Sequence, residues 1–321
     1  ESAATWTNRS VSSADATVFD VKVTGSGAIA SHSLRPTALA ASQANASAGY
    51  AAATAVVGTG TLTIDVGTWT GTTAFAAKPG ATAVSITIGA ADNTLEKVRD
   101  RINAANAGVT AEVIFDGTAH RLTMTSRESG AVNGFRVTAV DADGNNTNAA
   151  GLSNLTYNPP GGTSRLARNV TAADATATLD GLAVRSTSNT FDRALQGLSF
   201  TIKKTSTTNV GMNVAFDREG LSKSVDAFVT AYNELNQLTR DLTKVVPGST
   251  SANGPLQGDR GAANLQTRLR TLTSQSGAGG AFGRLADVGI SAGVDGALKI
   301  DSTKLAAALD RAFAEPDKAT P

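Results

Sequence analysis

Residues Asp217–Val246, DREGLSKSVDAFVTAYNELNQLTRDLTKVV, place large apolar side chains at Leu221, Val225, Phe228, Tyr232, Leu235, Leu238, Leu242 and Val245. The steps are threes and fours, the spacing of one helix face. Val229 widens the stripe, while Lys223, Asp226, Glu234, Gln237, Arg240 and Lys244 occupy the other side. Asp217 has the chemistry of an N-cap, since its carboxylate can accept the unpaired amides of the first turn. Glu219 and Lys244 suit the two poles of the helix dipole, and Pro247-Gly248 stops the helix. Burying each large apolar side chain contributes roughly 1.5–3 kcal/mol, and an isolated helix is marginal. The stripe therefore requires a partner.

Two later segments carry matching stripes. One is capped by Asp259 and presents Leu265, Leu269 and Leu272; the other is capped by Asp301 and presents Leu305, Leu309 and Phe313 before Pro316. A hairpin from Ile290 through Asp295-Gly296 to Ile300 lies between them, and Gly277–Gly280 reads as a flexible break. The expected core of this helical bundle is Leu221, Val225, Phe228, Tyr232, Leu235, Leu242, Leu265, Leu269, Leu305 and Leu309. Asn233, a polar amide beside the stripe, is expected to bond a neighbouring segment and set its register. Arg268 and Arg270 read as helix-dipole partners.

Upstream, period-two alternation marks strands. It appears at Phe19–Val23, Leu62–Val66, Val84–Ile88, Val109–Phe115, Phe135–Ala139, Leu198–Ile202 and Val210–Phe216. Residues 1–16 read as polar and turn-like, with Trp6 as a packing anchor. Ile29–Ala41 reads as a weaker strand, with Pro36 marking an edge or bulge. Ala40–Ala55 reads as a low-complexity linker, and 144–169 as a loop. Asn93-Thr94-Leu95-Glu96 has the form of a capping box, opening a helix that buries Leu95, Val98, Ile102 and Ala105. Turns are expected at Asp116-Gly117 and Asp180-Gly181.

The fold class expected is multidomain α+β. A helical bundle leg comprises 1–14 and 217–321. A discontinuous β domain comprises 15–50 and 160–216, and an α+β domain at 56–150 is inserted into it. A hinge is expected at Phe216 and Gly220, where strand meets helix.

Lys+Arg total 28 against Asp+Glu 27, which argues against a nucleic-acid partner. No apolar run approaches the ~20 residues that cross a bilayer, and no signal peptide is visible. Cysteine is absent, which removes disulfides, thiolate metal sites and Cys nucleophiles. The two histidines, His32 and His120, have no evident acidic partner. Asp141-Ala142-Asp143-Gly144-Asn145 resembles the start of a calcium loop, but Asn146 and Leu152 stand where that loop needs Gly and Glu. A hairpin turn is the expectation there. Nothing points to an enzyme, a cofactor or a metal.

Three stretches resemble the flagellar hook-associated protein 2 family, the flagellar filament caps. They are Ala173-Asp174-Ala175-Thr176-Ala177-Thr178-Leu179-Asp180-Gly181 continuing to Leu195-Gln196-Gly197-Leu198; Phe228-Val229-Thr230-Ala231-Tyr232-Asn233-Glu234-Leu235; and Gly254-Pro255-Leu256-Gln257-Gly258-Asp259 with Leu285–Ile290 and Asp295–Asp301. The region 56–150, with Arg101-Ile102-Asn103-Ala104-Ala105, is similar to the insert shared by flagellins and filament caps. The segment around Gly27–Gln43 matches only loosely, and the family's terminal helical tails, which would form a coiled-coil stalk, lie outside these residues. The resemblance implies a non-enzymatic protein at the extracellular flagellar tip, exported by the flagellar type III apparatus. It implies flagellin as partner and a self-associated ring, a pentamer on the filament, with no membrane insertion. The alternative reading is a host-mucin adhesin.

Overall fold

The computed structural model describes residues 8–248, 253–275 and 282–314. Trp6, the Gly277–Gly280 break and the stop at Pro316 lie outside the described residues. The chain divides into two compact units, residues 11–214 and residues 1–10 with 215–321.

The first unit is built from strands β1 (Arg9–Ser13), β2 (Phe19–Val23), β3 (Ala30–Ala38), β4 (Ala44–Ala46), β5 (Gly60–Thr70), β6 (Ala74–Ala77) and β7 (Val84–Ile88). Helix α1 (Leu95–Ala104) follows, then β8 (Val109–Phe115), β9 (His120–Ser126), β10 (Gly134–Asp141), β11 (Tyr157–Asn158), β12 (Thr163–Ser164) and β13 (Ala167–Val170). The last strands are β14 (Ala175–Leu179), β15 (Leu182–Ser186), β16 (Thr190–Leu195), β17 (Leu198–Ile202) and β18 (Val210–Phe216). The unit's boundary falls within β1 and β18.

Four sheets result, ordered β1-β18-β3-β14-β15, β16-β17-β2, β12-β11-β10-β5-β6 with β7 also on β5, and β13-β4-β9-β8. They enclose two separate cores. One joins Phe19, Leu34, Phe191, Phe200 and Met212. The other joins Leu62, Ile64, Leu122, Phe135 and the α1 residues Leu95, Val98 and Ile102. Apolar residues alternate along these strands because a pleated strand turns successive side chains to opposite faces.

Several local expectations are corrected. Ala40–Ala55 is not a linker: β4 lies between β13 and β9, and Gln43 and Asn45 are buried. Residues 9–13 form a strand rather than a turn. The loop at 144–169 contains short strands and 3-10 turns, and its Leu152 and Leu155 are fully buried. The capping box at Asn93 does not form. Thr94 is the N-cap and makes no side-chain cap bond. The amides of Leu95 and Glu96 instead bond the carbonyls of Ala55 and Ala53 at 3.0 and 3.1 Å, so backbone from a distant loop replaces the local cap. Pro36 sits in an interior strand, next to a register shift between Thr176 and Ala177; of the two options, bulge and edge, the chain uses the bulge.

Asp180 and Gly181 both have positive φ, 50° and 86°, the conformation of a two-residue I′ hairpin turn. Asp180 also reaches back across the sheet. Its carboxylate meets His32 Nδ1 at 2.7 Å and accepts from the Ser33 amide at 2.7 Å. The expectation that His32 has no acidic partner is therefore overturned, because the partner arrives from 148 residues away. The His32 contact first, then the Ser33 amide, hold the Asp180 carboxyl below its ordinary range. A depressed carboxylate stabilises the fold above its unfolded pKa of about 3.9, and that contribution is lost as pH falls through the folded value. Asp180→Asn should therefore flatten the stability-versus-pH curve on the acid side of about pH 4, measured by urea unfolding at successive pH values.

The second unit contains α2 (Arg218–Thr243), α3 (Arg260–Ser274), β19 (Ile290–Ala292), β20 (Leu298–Ile300) and α4 (Ser302–Ala314). Asp217 caps α2 by accepting from the Gly220 amide at 2.9 Å, and Asp259 caps α3 by accepting from the Ala262 amide at 2.8 Å. Asp301 accepts from the Lys304 amide at 3.0 Å.

Candidate interaction surface

The apolar positions of α2 resolve into two faces. Leu221 meets Leu305 and Leu309 of α4, with Val225, Ile300 and Phe313 packed alongside. Val229 and Tyr232 meet Ile290 and Leu298 of the hairpin, with Leu269 of α3 beside them. This face continues through Asn236 and Thr239, both buried. Both later helices lie against α2, and the hairpin is laid on the same helix beside them.

The other face is left uncovered. Phe228, Leu235 and Leu238 are 42%, 38% and 55% exposed, and Leu242 is half-buried; the helix ends at Thr243, so Val245, expected on this stripe, lies beyond it. With Ala231, also exposed, they recur in steps of three and four, the 3.5-residue repeat of a coiled-coil seam. On α3, Leu265 and Leu272 are likewise exposed. Phe228, Leu235 and Leu265 are therefore corrected: they are not core of this unit. The apolar arc of α2 is wide, and the hairpin, α3 and α4 leave one side of it exposed. Glu234 and Asp241 flank the exposed seam.

Asn233 explains how the hairpin is held. Its Nδ2 donates to the Leu298 carbonyl at 2.9 Å, and its Oδ1 accepts from the Leu298 amide at 2.7 Å. Asn236 Nδ2 donates to the Asp295 carbonyl at 3.3 Å. Asn233 thereby pairs the outward backbone groups of Leu298 at the start of β20, which would otherwise be unpaired, and Asn236 holds the turn before it. Asn233→Ala removes both bonds to Leu298 and should cost about 1–2 kcal/mol, read as a lowered melting temperature. Loss of protection at the Leu298 amide in hydrogen exchange would accompany it.

The two expected hinge positions lie in ordered surroundings. Phe216 stacks on Phe313 with ring centroids 4.2 Å apart and lies under the Arg9 guanidinium. Gly220 is in the first turn of α2, where a Cβ would approach the Asp217 carboxylate to 2.2 Å.

The remaining motifs do not assemble a chemical site. In the 141–148 loop, Asp143 accepts from the Asn145 amide at 2.8 Å and from Asn148 Nδ2 at 2.7 Å. Asn145 Oδ1 accepts from the Thr147 amide at 3.0 Å. These oxygens brace the loop itself, and Asp141 is buried against Ser153. His120 contacts the Phe115 ring. Among the described residues no group of three or more His, Cys, Asp or Glu side chains is placed to hold a metal, and no helix is long and apolar enough to cross a membrane.

Comparison with known proteins gives this surface a setting. Residues 172–318 match the family model described as flagellar hook-associated protein 2 C-terminus. The A-type flagellar hook-associated protein 2 of Pseudomonas aeruginosa is 36% identical over 251 residues, covering 71% of this chain and 51% of that protein. The chain thus spans about half the length of the curated relatives it matches. A three-domain crystal structure of the flagellar cap protein FliD from Escherichia coli superposes with a TM-score of 0.76 at 27% identity, covering 98% of this chain and 83% of that one. The crystal structure of FliD from Pseudomonas aeruginosa PAO1 gives a TM-score of 0.59 at 26% identity, covering 73% and 100%. A family-model match that begins at the β14 strand and runs through the helical unit, relatives that all carry one name, and cap-protein structures sharing the fold converge: the chain belongs to the flagellar hook-associated protein 2 family.

Proposed function

We propose that this chain works as part of a flagellar filament cap, a non-enzymatic, self-associated ring at the extracellular filament tip that promotes flagellin polymerisation. The observation that carries the reading, beside family membership, is the apolar heptad on α2 from Phe228 to Leu242, open at Phe228, Ala231, Leu235 and Leu238. A contiguous apolar patch of this kind marks a surface that another chain segment covers. Helical partners are what a 3.5-residue repeat selects. In this reading the seam is where the helical leg engages a helix during assembly, and the ring is pentameric on the filament.

The domain plan proposed is a β domain interrupted by an inserted α+β domain. It is supported by the separation of the two cores: one uses residues from Val57 to Leu166, the other uses residues on both sides of that range. The joint at Phe216–Gly220 is proposed as the place where leg and β domains pivot.

The test uses a strain lacking the corresponding locus, complemented with the full-length protein carrying Phe228→Asp and Leu235→Asp. Both side chains are exposed, so folding should change little. Filament growth should fall at least tenfold, with unpolymerised flagellin released to the medium. Normal filaments from the double variant would refute the seam, and normal filaments in the uncomplemented strain would refute the cap itself.

A further inference from the structure

The β19–β20 hairpin has two edges, and α2 closes only one. The Gly293 amide donates to the Ala297 carbonyl at 2.8 Å, and the Asp301 amide donates to the Gly289 carbonyl at 2.8 Å. With Ser291 opposite Lys299, the alternation of an antiparallel ladder makes 289, 291 and 293 the inward-bonded positions. Ile290 and Ala292 therefore direct their N–H and C=O groups away from β20. The same parity sends the Leu298 groups outward on the opposite edge, where Asn233 receives both. Nothing among the described residues does this for Ile290 and Ala292.

This open edge lines a cleft of about 520 Å³ whose other wall is Arg270, Thr273 and Ser274 of α3, with Arg284 and Leu285 at one end. Two features of the cleft point to a ligand. Tyr232 lines it, is 7% exposed, and has a buried hydroxyl without a hydrogen-bond partner among the described residues. Arg270 and Arg284 make no ion pair among the described residues. The nearby Asp287 carboxylate is committed to the Arg284 backbone amide at 2.8 Å. Arg270 rests over the hairpin turn, with Nε 3.5 Å from where a Gly296 Cβ would stand. Among the described residues, an unpaired strand edge, a phenol without a hydrogen-bond partner and two guanidiniums without an ion pair share one concave surface.

We propose that this cleft binds an extended acidic strand from another polypeptide, added to the open edge of β19, with its carboxylate held by Arg270 and Arg284. Edge addition supplies main-chain hydrogen bonds that tolerate many sequences, and the side-chain pockets supply the preference. Guanidinium–carboxylate bonds are the strong component, and the Tyr232 hydroxyl can donate to the same carboxylate. The three-residue strand limits the pairing to a few bonds, so the affinity is weak and reversible. This inference stands apart from the capping role, since it concerns the hairpin edge and not the α2 seam.

The test titrates isotope-labelled chain 1–321 with the blocked peptide acetyl-Thr-Val-Glu-Val-Thr-amide, followed by NMR. Saturable shifts at the Ile290 and Ala292 amides are expected, with a dissociation constant of about 1 mM or below. The peptide with Gln in place of Glu, and the Arg270→Ala/Arg284→Ala chain, should each bind about tenfold more weakly. Ala292→Pro removes only an outward N–H and should abolish binding while leaving the spectrum of the β sheets intact. No saturable shift, or equal binding by the Gln peptide, the double variant or the proline variant, would overturn the proposal. Protection of the Ile290 and Ala292 amides in the free chain with no response to peptide would overturn it too, in favour of a segment of the same chain on that edge.

Discussion

Gln43→Ala should destabilise the first unit by about 2–4 kcal/mol, a large effect for a residue in an Ala/Ser-rich stretch. Gln43 is fully buried. Its Nε2 donates to the Phe135 carbonyl at 2.9 Å and to Asn45 Oδ1 at 3.0 Å, while its Oε1 accepts from the Phe135 amide at 3.0 Å. One side chain thereby ties the sheet containing β4 to the sheet containing β10. After truncation the Phe135 carbonyl keeps the Trp69 indole at 3.0 Å, but the amide loses its side-chain partner. An unpaired buried donor carries the full desolvation cost, about 1–3 kcal/mol, and the cavity adds to it. The close packing also explains Gly134, whose Cβ would stand 2.9 Å from the Gly67 carbonyl and 3.0 Å from Gln43 Oε1. Urea unfolding should show a lowered midpoint with unchanged slope. A midpoint within error of the parent would show that the amide bridge contributes nothing net.

Phe200→Ala should cost about 3–5 kcal/mol through the other core. Phe200 is 1% exposed, stacks on Phe191 at 4.8 Å with planes 10° apart, and meets Phe19 edge-on at 6.5 Å. These rings sit on β17, β16 and β2 of one three-stranded sheet, and the core they share with Leu34 and Met212 packs that sheet on the sheet holding β3 and β18. With aromatics only 5% of the chain, few other residues could fill the volume. Calorimetry should show a loss of melting temperature confined to the first unit's transition. Phe200→Leu, which keeps most of the volume, should recover more than half of it.

Much of the ladder was readable from residue order. Alternation at Phe19–Val23, Leu198–Ile202 and Val210–Phe216 named strands that form, and Asp217, Asp259 and Asp301 each cap the helix that follows. Such signals are local, since a pleat and a first helical turn involve neighbours in sequence. The Ala40–Ala55 stretch failed for the opposite reason. Its strand is short and small, and what holds it are partners at Thr123–Thr125 and Phe135. The 144–169 segment misled in the same way, because Gly, Asn and Pro punctuation hid Leu152 and Leu155, which fill a core built by other strands.

Residue order alone determined the periodicities, the Asp caps of α2, α3 and α4, the Asp-Gly turn at 180–181 and the α+β class, because each depends on the chemistry of adjacent residues. Tertiary structure alone decided which half of the α2 stripe is covered. The sequence places Phe228 and Tyr232 one helical turn apart on a single arc, and both are apolar in the same way. Only the docking of the hairpin, clamped at Leu298 by Asn233, buries Tyr232 and leaves Phe228 in water. A helix's apolar arc fixes how much surface must be covered, and the position of its neighbours in space fixes which part is covered from within and which remains for a partner.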